Sequence, residues 1–264
     1  MPELPEVEQY KKLFDKNALN NQISDVKILN KRMLQDVSEK ELTGNLIGKK
    51  FVNSIRRGKY FFAEVKDSGW LILHFGMTGE LLYLTEDEEE PKYSRLIITF
   101  KNKDRLILED RRTFGFYSFI ENINDYINGK KIGPDALDKS FSKKYYLEIV
   151  TRKTEIIKTF LMDQAVVSGI GNVYSDEICY QTDVHPGSFM NKLTKDKLED
   201  VYDNAKKILK DAIKYKGKKK LPDDYLASNR KEDVECPRCG GTIKLKKLGG
   251  RSSYFCDKHQ KLYS

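Results

Sequence analysis

Phe51-Val-Asn-Ser-Ile55, Tyr60-Phe-Phe-Ala-Glu-Val65 and Trp70-Leu-Ile-Leu-His74 are three short runs rich in β-branched and aromatic residues. Arg57-Gly58 and Asp67-Ser68-Gly69 punctuate them. Such runs, bounded by turn residues, predict strands joined by tight turns. The pattern extends in both directions, to Gln22–Leu29 before it and to Leu81–Leu84, Leu96–Phe100, Arg105–Leu108 and Gly115–Phe119 after it. Lys101–Asp104 reads as another turn, and the acidic run Glu86–Glu90 as an exposed hairpin loop. So many short strands within about 100 residues predict a sandwich or barrel.

The flanks read as helical. Val7, Tyr10 and Phe14 make one apolar stripe and predict a helix over 5–16. Asn128-Gly129, Gly133 and Pro134 read as a linker. Helices are expected from about Ser142, the clearest being Lys195–Lys216. Its face is Leu198, Val201, Tyr202, Ala205, Ile208, Leu209, Ala212 and Ile213, with Thr194 as N-cap and Gly217 as terminator. Lys218–Lys220 and Pro222 predict a flexible, basic connector. The fold class is therefore α+β. Residues 1–125 are expected to form the sandwich, 126–141 a linker, 142–220 a helical domain, and 221–264 the connector with a cysteine-bearing module.

Composition narrows the function. The 264 residues are 39% apolar, which permits a real core, and no apolar stretch reaches the length of a transmembrane helix. The opening residues lack the pattern of a secretory leader. Three of the four cysteines lie near the C-terminus, which disfavours a disulfide framework and predicts a reducing, cytoplasmic setting. Residues 1–193 hold 29 basic and 29 acidic side chains, whereas 194–264 hold 19 and 11. The whole net charge of +8 thus resides in the last quarter, which suits a polyanion such as nucleic acid or, more simply, a solubilising surface.

Cys236-Pro-Arg-Cys239 and Cys256-Asp-Lys-His259 stand 16 residues apart. Two such knuckles at this distance are the pattern of a zinc ribbon with one closed, structural Zn2+. The alternative is a set of free thiols in a small core. A module of about 30 residues buries too little apolar surface to fold without a staple, which favours the metal. Lys244, Lys246, Lys247 and Arg251 would then lie on the ribbon hairpin, a finger suited to phosphates. Cys179 stands apart and reads as core.

At the other end, Pro2 follows a Met that a small second residue allows to be removed. The exposed amine would titrate near 8, leaving a useful neutral fraction. A secondary amine that attacks a sugar C1′ gives an iminium directly, and the adjacent Glu3 is placed for proton transfer. Glu6, one helical turn on, would orient the site. Taken alone, the segment also reads as an ordinary helix start, with proline and acids in the first turn.

Seven segments decide between these readings. Met1-Pro-Glu-Leu-Pro-Glu-Val7 resembles the opening of the formamidopyrimidine-DNA glycosylase family. Arg56-Arg-Gly-Lys59-Tyr60, His74-Phe-Gly-Met77-Thr-Gly79, Asp110-Arg-Arg112-Thr-Phe114-Gly115 and Ile132-Gly-Pro-Asp-Ala-Leu137 resemble later segments of that family, in the same order. So do Ile157-Lys158 with Leu161-Met-Asp163-Gln164 and Gly169-Ile-Gly-Asn172-Val-Tyr174, the helix–two-turn–helix. Gly250-Arg251 and the knuckles complete the set.

The resemblance implies a β-sandwich carrying a catalytic N-terminal helix, then a helical DNA-binding domain ending in the zinc ribbon, with damaged double-stranded DNA between them. It implies a monomeric repair enzyme of the cytoplasm, at the nucleoid when bound, that excises oxidised purines and cleaves the abasic strand by β,δ-elimination. Pro2, Glu3 and Lys59 would be catalytic, with Glu6 and Lys158 in support. Met77, Arg112 and Phe114 would fill the hole left by the flipped base, while His74, Asn172, Tyr174 and Arg251 join Lys59 on phosphates. Without the family, Met77 and Phe114 read as core and Arg112 as an ion-pair partner of Asp110. Two departures stand out. His259 replaces the family's usual fourth cysteine, and only 18 residues separate Gly217 from Cys236, where purine-specific members carry a longer glycine-rich lid. The opening Pro-Glu-Leu-Pro-Glu favours the purine branch, but the second departure keeps open an endonuclease VIII-like enzyme for oxidised pyrimidines. A non-catalytic lesion binder is the rival of another class, and retention of both Pro2 and Glu3 argues against it.

Overall fold

A computed structural model of the chain describes residues 1–264, the side chain of Lys219 apart. It divides into two compact units, Met1–Lys131 and Ile132–Ser264.

The first unit opens with helix α1 (Leu4–Asn17) and then β1 (Ile23–Ile28), helix α2 (Glu39–Leu46), β2 (Phe51–Arg57), β3 (Tyr60–Val65), β4 (Gly69–His74) and β5 (Gly79–Leu84). β6 (Ser94–Phe100), β7 (Arg105–Asp110), β8 (Phe116–Ile120) and helix α3 (Ile123–Gly129) complete it. The strands form two four-stranded sheets, ordered β1-β6-β7-β5 and β2-β3-β4-β8, with every pairing antiparallel. Leu96, Ile98, Leu106 and Leu108 of the first sheet meet Phe61, Ala63, Leu71 and Leu73 of the second in one apolar core. Val7 and Phe14 of α1 join that core, so the predicted apolar stripe is what seats the helix. All eight predicted strands are present, with ends displaced by no more than two residues.

The sequence reading missed two helices. α2 carries a reciprocal cap, in which the Ser38 hydroxyl accepts the Glu41 amide at 3.2 Å and the Glu41 carboxylate accepts the Ser38 amide at 2.9 Å. α3 straddles the expected boundary between sandwich and linker, capped by the Asn122 side chain on the amides of Asn124 and Asp125. Its Tyr126 ring lies 6.1 Å from Phe62 and 6.2 Å from Tyr60, which covers the outer face of the β2-β3-β4-β8 sheet.

The second unit holds α4 (Lys143–Val150), α5 (Ile157–Met162), α6 (Asn172–Gln181), α7 (Lys195–Lys214) and the hairpin β9 (Ile243–Leu248) with β10 (Arg251–Cys256). α7 buries Leu198, Val201, Ala205, Ile208, Leu209 and Ala212, and Thr194 caps it as expected. It ends two residues early, because Lys216 already takes the left-handed conformation at φ 58°. The connector is ordered rather than loose. Leu226 is buried, and the Ala227 amide donates to Glu177 of α6 at 2.6 Å. No helix among the described residues is long and apolar enough to cross a membrane.

Candidate active site and nucleic-acid interface

The head of α1 is built by its own acids. Glu3 is the N-cap, and its amide donates to the Glu6 carboxylate at 2.9 Å within a capping box. Glu3 is fully buried, while Pro2 beside it is half-buried and Met1 is exposed. α1 is held against β2, β3 and β5. Arg56 Nε donates to Glu8 at 2.7 Å, the Ser54 hydroxyl donates to Asp15, and the Tyr10 ring lies 4.6 Å from Phe75. The tips of both sheets thus fix the helix that carries Pro2 and Glu3, through Glu8, Asp15 and Arg56, none of which the sequence reading assigned.

Lys59 occupies the two-residue turn between β2 and β3, where Gly58 supplies a φ of 58°. Tyr60 pairs with His74 across the sheet, so the turn brings Lys59 beside His74. Burial, aided by Lys59, pushes the His74 imidazole down to about 4. The ring is neutral at physiological pH, and its Nδ1 accepts the Gly76 amide at 3.3 Å, which leaves Nε2–H as the donor. Phe116 stacks on it at 5.3 Å and holds the ring plane.

Two loops leave this end of the sandwich together. One joins β4 to β5 through Met77, and the other joins β7 to β8 through Arg112 and Phe114. Asp110, fully buried, ties them: one carboxylate oxygen accepts the Thr78 hydroxyl at 2.5 Å and the Arg112 amide at 3.1 Å, the other the Gly115 amide at 2.8 Å. Gly76 lies so close to the second loop that a Cβ would meet the Phe114 carbonyl carbon at 2.3 Å, which only glycine avoids. The loops hold their side chains outward. Met77 is 41% exposed and Phe114 54% exposed, with the Arg112 guanidinium 4.6 Å from the Phe114 ring centre. These side chains are not core, and Asp110 engages the Arg112 amide rather than its guanidinium. Large apolar groups presented this way on a rigid loop mark a contact surface.

In the second unit, α5, the turns over 163–171 and α6 form a compact motif. Gln164 staples the turns, donating to the carbonyls of Met162 and Ile170 and accepting the Gly169 amide at 3.0 Å. Asn172 begins α6, and its side-chain amide donates to Ser252 O of β10 at 3.0 Å, next to the exposed Arg251. Two expected phosphate or lesion contacts are placed differently. Tyr174 is fully buried in α6. Lys158 is only 1% exposed, and its ammonium donates to the buried Asp176 carboxylate. Desolvation pushes the Lys158 ammonium down while Asp176 opposes that shift. Asp176 also accepts Ser253 Oγ at 2.6 Å, Arg230 Nη2 at 2.8 Å and the Tyr254 amide at 3.0 Å. Lys158 thus joins the helical motif to the ribbon from inside. Breaking one partner of such a buried network costs about 3–5 kcal/mol. Asp176 and Arg230 were missed because they come from α6 and from the connector before β9, and only the folded unit makes them meet.

The ribbon turns at Gly249-Gly250, whose φ values of 54° and 74° suit a tight hairpin turn. The ligand atoms of Cys236, Cys239, Cys256 and His259 lie within 4.8 Å of one another. Cys239 Sγ is 3.4 Å from Cys256 Sγ and 3.2 Å from His259 Nδ1, and Cys236 Sγ is 3.7 Å from that nitrogen. Ligands about 2.0–2.3 Å from a tetrahedral zinc stand at about these separations. His259 turns its other nitrogen to Tyr180 O at 3.3 Å, the outer partner that presents Nδ1 to a metal. A Cβ on Gly241 would come within 2.9 Å of Cys256 Sγ, so the knuckle needs that glycine. The four residues are a site for one structural zinc, with His259 Nδ1 turned toward the cysteine sulfurs.

Comparison with known proteins agrees along the chain. Residues 1–117 match the formamidopyrimidine-DNA glycosylase N-terminal domain, 132–221 the H2TH domain of that glycosylase, and 235–258 the zinc finger found in FPG and IleRS. The chain is 33% identical over 273 residues to the formamidopyrimidine-DNA glycosylase of Haemophilus influenzae, covering 99% of each. It is 30% identical over 275 residues to that of Desulforamulus reducens, again with 99% of each covered. Among solved structures, Lactococcus lactis Fpg with abasic-site DNA superposes with a TM-score of 0.89 at 31% identity, over 98% of this chain and 99% of that one. The wild-type Lactococcus lactis enzyme with N7-benzyl-Fapy-dG DNA gives 0.90 at 31% identity, over 98% and 100%. MutM with DNA containing carbocyclic 8-oxo-G gives 0.89 at 32%, over 98% and 100%. With three domain models in order and relatives matched over nearly its whole length, the chain belongs to the formamidopyrimidine-DNA glycosylase family.

Proposed function

We propose that this protein is a DNA-repair glycosylase and abasic-site lyase acting on oxidised purines, with Pro2 as nucleophile and Glu3 as acid and base. The observation that carries the reading is the buried Glu3 directly behind Pro2, in the same unit as the exposed Met77, Arg112 and Phe114. Once Met1 is removed, the Pro2 nitrogen attacks C1′ of a flipped nucleotide. The bond from C1′ to the base breaks, Glu3 supplies a proton to the departing base, and the amine loses its own proton. The C1′–O4′ bond then breaks as O4′ takes up a proton, which opens the sugar ring and leaves an iminium between Pro2 and C1′. This cation acidifies C2′, whose proton leaves as the 3′ phosphate is expelled. A second elimination expels the 5′ phosphate, and water then frees Pro2. Met77 and Phe114 fill the vacated stack, and Arg112 meets the orphaned base. Lys59, His74, Asn172 and Arg251 hold phosphates; the zinc staples the ribbon that carries Arg251 and takes no part in the chemistry. Cysteines that serve as metal ligands rather than pairing in disulfides suit a reducing, cytoplasmic setting.

The lesion order follows from the connector. Residues 218–235 are committed to the interior of their own unit through Leu226, Ala227 and Arg230, which leaves little chain for a lid over the flipped base. 8-Oxoguanine differs from guanine only at C8 and N7, so its recognition needs close contacts on that edge. Each such pairing lost from a buried site costs about 1–3 kcal/mol, or roughly five- to a hundred-fold in rate. Formamidopyrimidines and abasic sites should therefore be processed faster than 8-oxoguanine. Single-turnover cleavage of matched duplexes carrying formamidopyrimidine, 8-oxoguanine, thymine glycol or an abasic site tests this. Equal rates on the two purines would refute the lid argument, and a preference for thymine glycol would favour the pyrimidine-specific reading.

A further inference from the structure

The two sheets of the first unit end together at the Met77 and Arg112–Phe114 loops, and each sheet brings its own cations to that end. The β2-β3-β4-β8 sheet brings Lys59 and His74. The β1-β6-β7-β5 sheet brings a second set to which the proposed chemistry gives no role. Lys92, Arg95 and Arg111 gather on one aromatic ring, with their charged groups 5.7, 5.8 and 6.0 Å from the Tyr93 centre. A register shift between Ser94 and Leu96 puts Arg95 in a bulge, a device that re-aims a side chain. Arg95 Nε then donates to Asp110 O at 2.8 Å, so the set is anchored to the residue that organises the loops. On the other side Arg95 O accepts the amides of Leu29 and Asn30, and the Asn30 side chain accepts the amide of Arg32.

The cations therefore follow the strand order, from Arg32 after β1, through Lys92 and Arg95 at β6, to Arg111 after β7 and Arg112 beyond it. The two strand spacings from β1 to β7 span about 10 Å. That is the rise of about three nucleotides along one strand. Arg32, Lys92 and Arg111 are exposed, and among the described residues no ion pair joins any of the row to a carboxylate. The Asp110 carboxylate is already engaged by Thr78 and the amides of Arg112 and Gly115. Like charges held in a line without counter-charge repel one another, and a polyanion laid along them relieves that repulsion.

We infer that Arg32, Lys92, Arg95 and Arg111 form a track for the phosphodiester backbone of the strand opposite the lesion. The inference rests on the DNA-repair reading above and extends it. In that reading Lys59 and His74 hold the damaged strand on one side of the inserted loops, so the track on the other sheet faces the undamaged strand. Its contacts are to phosphates and are indifferent to the lesion.

The test is the salt dependence of binding to an abasic-site duplex, measured on full-length protein. Arg95 is left intact because it supports the Asp110 loop. The triple variant Arg32→Gln, Lys92→Gln, Arg111→Gln should lower the slope of log K against log salt by about 2.7, or about 0.9 per lost contact. The affinity lost by the wild type between 50 and 200 mM salt should shrink about 40-fold in that variant. Lys101→Gln, at the far end of β6, should leave the slope unchanged. Neutral methylphosphonate linkages in the undamaged strand should weaken the wild type and leave the triple variant almost unaffected. The same linkages in the damaged strand should weaken both alike. A triple variant with the wild-type slope, or one as sensitive as the wild type to neutral linkages opposite the lesion, overturns the track. A wild type without salt-dependent duplex binding overturns the DNA reading itself.

Discussion

Glu3→Gln is expected to slow base excision by about 10²–10⁴-fold, the usual contribution of a positioned acid or base. The substitution keeps the size of a fully buried side chain and its place as N-cap of α1, so thermal stability should change little. Cleavage of a preformed abasic site should fall far less, by no more than about tenfold, because no base departs and only the later proton transfers remain. Single-turnover rates on a formamidopyrimidine duplex and on an abasic duplex measure the two steps separately. Equal losses on both would assign Glu3 to the lyase step or to orienting Pro2, and unchanged excision would remove it from the chemistry.

Loss of the zinc should be the other large effect. Structural zinc contributes about 10–16 kcal/mol to modules of this size, far more than the small ribbon core of Ile243, Leu226 and Tyr180 can supply. Cys256→Ser should therefore reduce metal content from one zinc per chain to none. It should also release the hairpin from Asp176, which accepts Ser253 Oγ at 2.6 Å and the Tyr254 amide at 3.0 Å. Arg251 and Asn172 would then lose their common support, and duplex affinity should fall by at least about an order of magnitude, since more than one phosphate contact goes. Hydrogen exchange should show the ribbon and the start of α6 open while the sandwich keeps its protection. His259→Cys should retain the metal, because a thiolate suits zinc at least as well. A metal-free Cys256→Ser protein that binds DNA like the wild type would contradict this account.

The parts legible in the sequence were those whose cause is local. Short strand-forming runs bounded by turn residues mark each of the eight strands, and the stripe of α7 is its own evidence. The knuckle spacing already points to the metal, and geometry adds how His259 is oriented. α2 was legible in principle, since Ser38 and Glu41 form a capping box, but eight residues between strands give too short a stripe to stand out. α3 was hidden by Asn128-Gly129, which lies inside its last turn rather than in a loop. The remaining gaps are long-range. Nothing in the order of residues shows that Asp110 will tie Thr78, 32 positions away, to the Arg112 amide. Lys158 looks like a surface lysine until α6 and β10 close around it, since its counter-charge Asp176 and the second cation Arg230 come from separate segments. The cation track is invisible for the same reason, because only the sheet order sets Arg32 beside Arg95 and Arg95 beside Arg111.

The central claim is that the amine of Pro2 forms a covalent bond to the sugar. Sodium borohydride added to protein and an abasic-site duplex reduces the iminium and fixes it. Mass spectrometry of the digested adduct should place the sugar on an N-terminal peptide that begins at Pro2 and lacks Met1. Protein that cleaves the duplex yet yields no adduct, or an adduct on a lysine such as Lys59 or Lys158, would contradict the account.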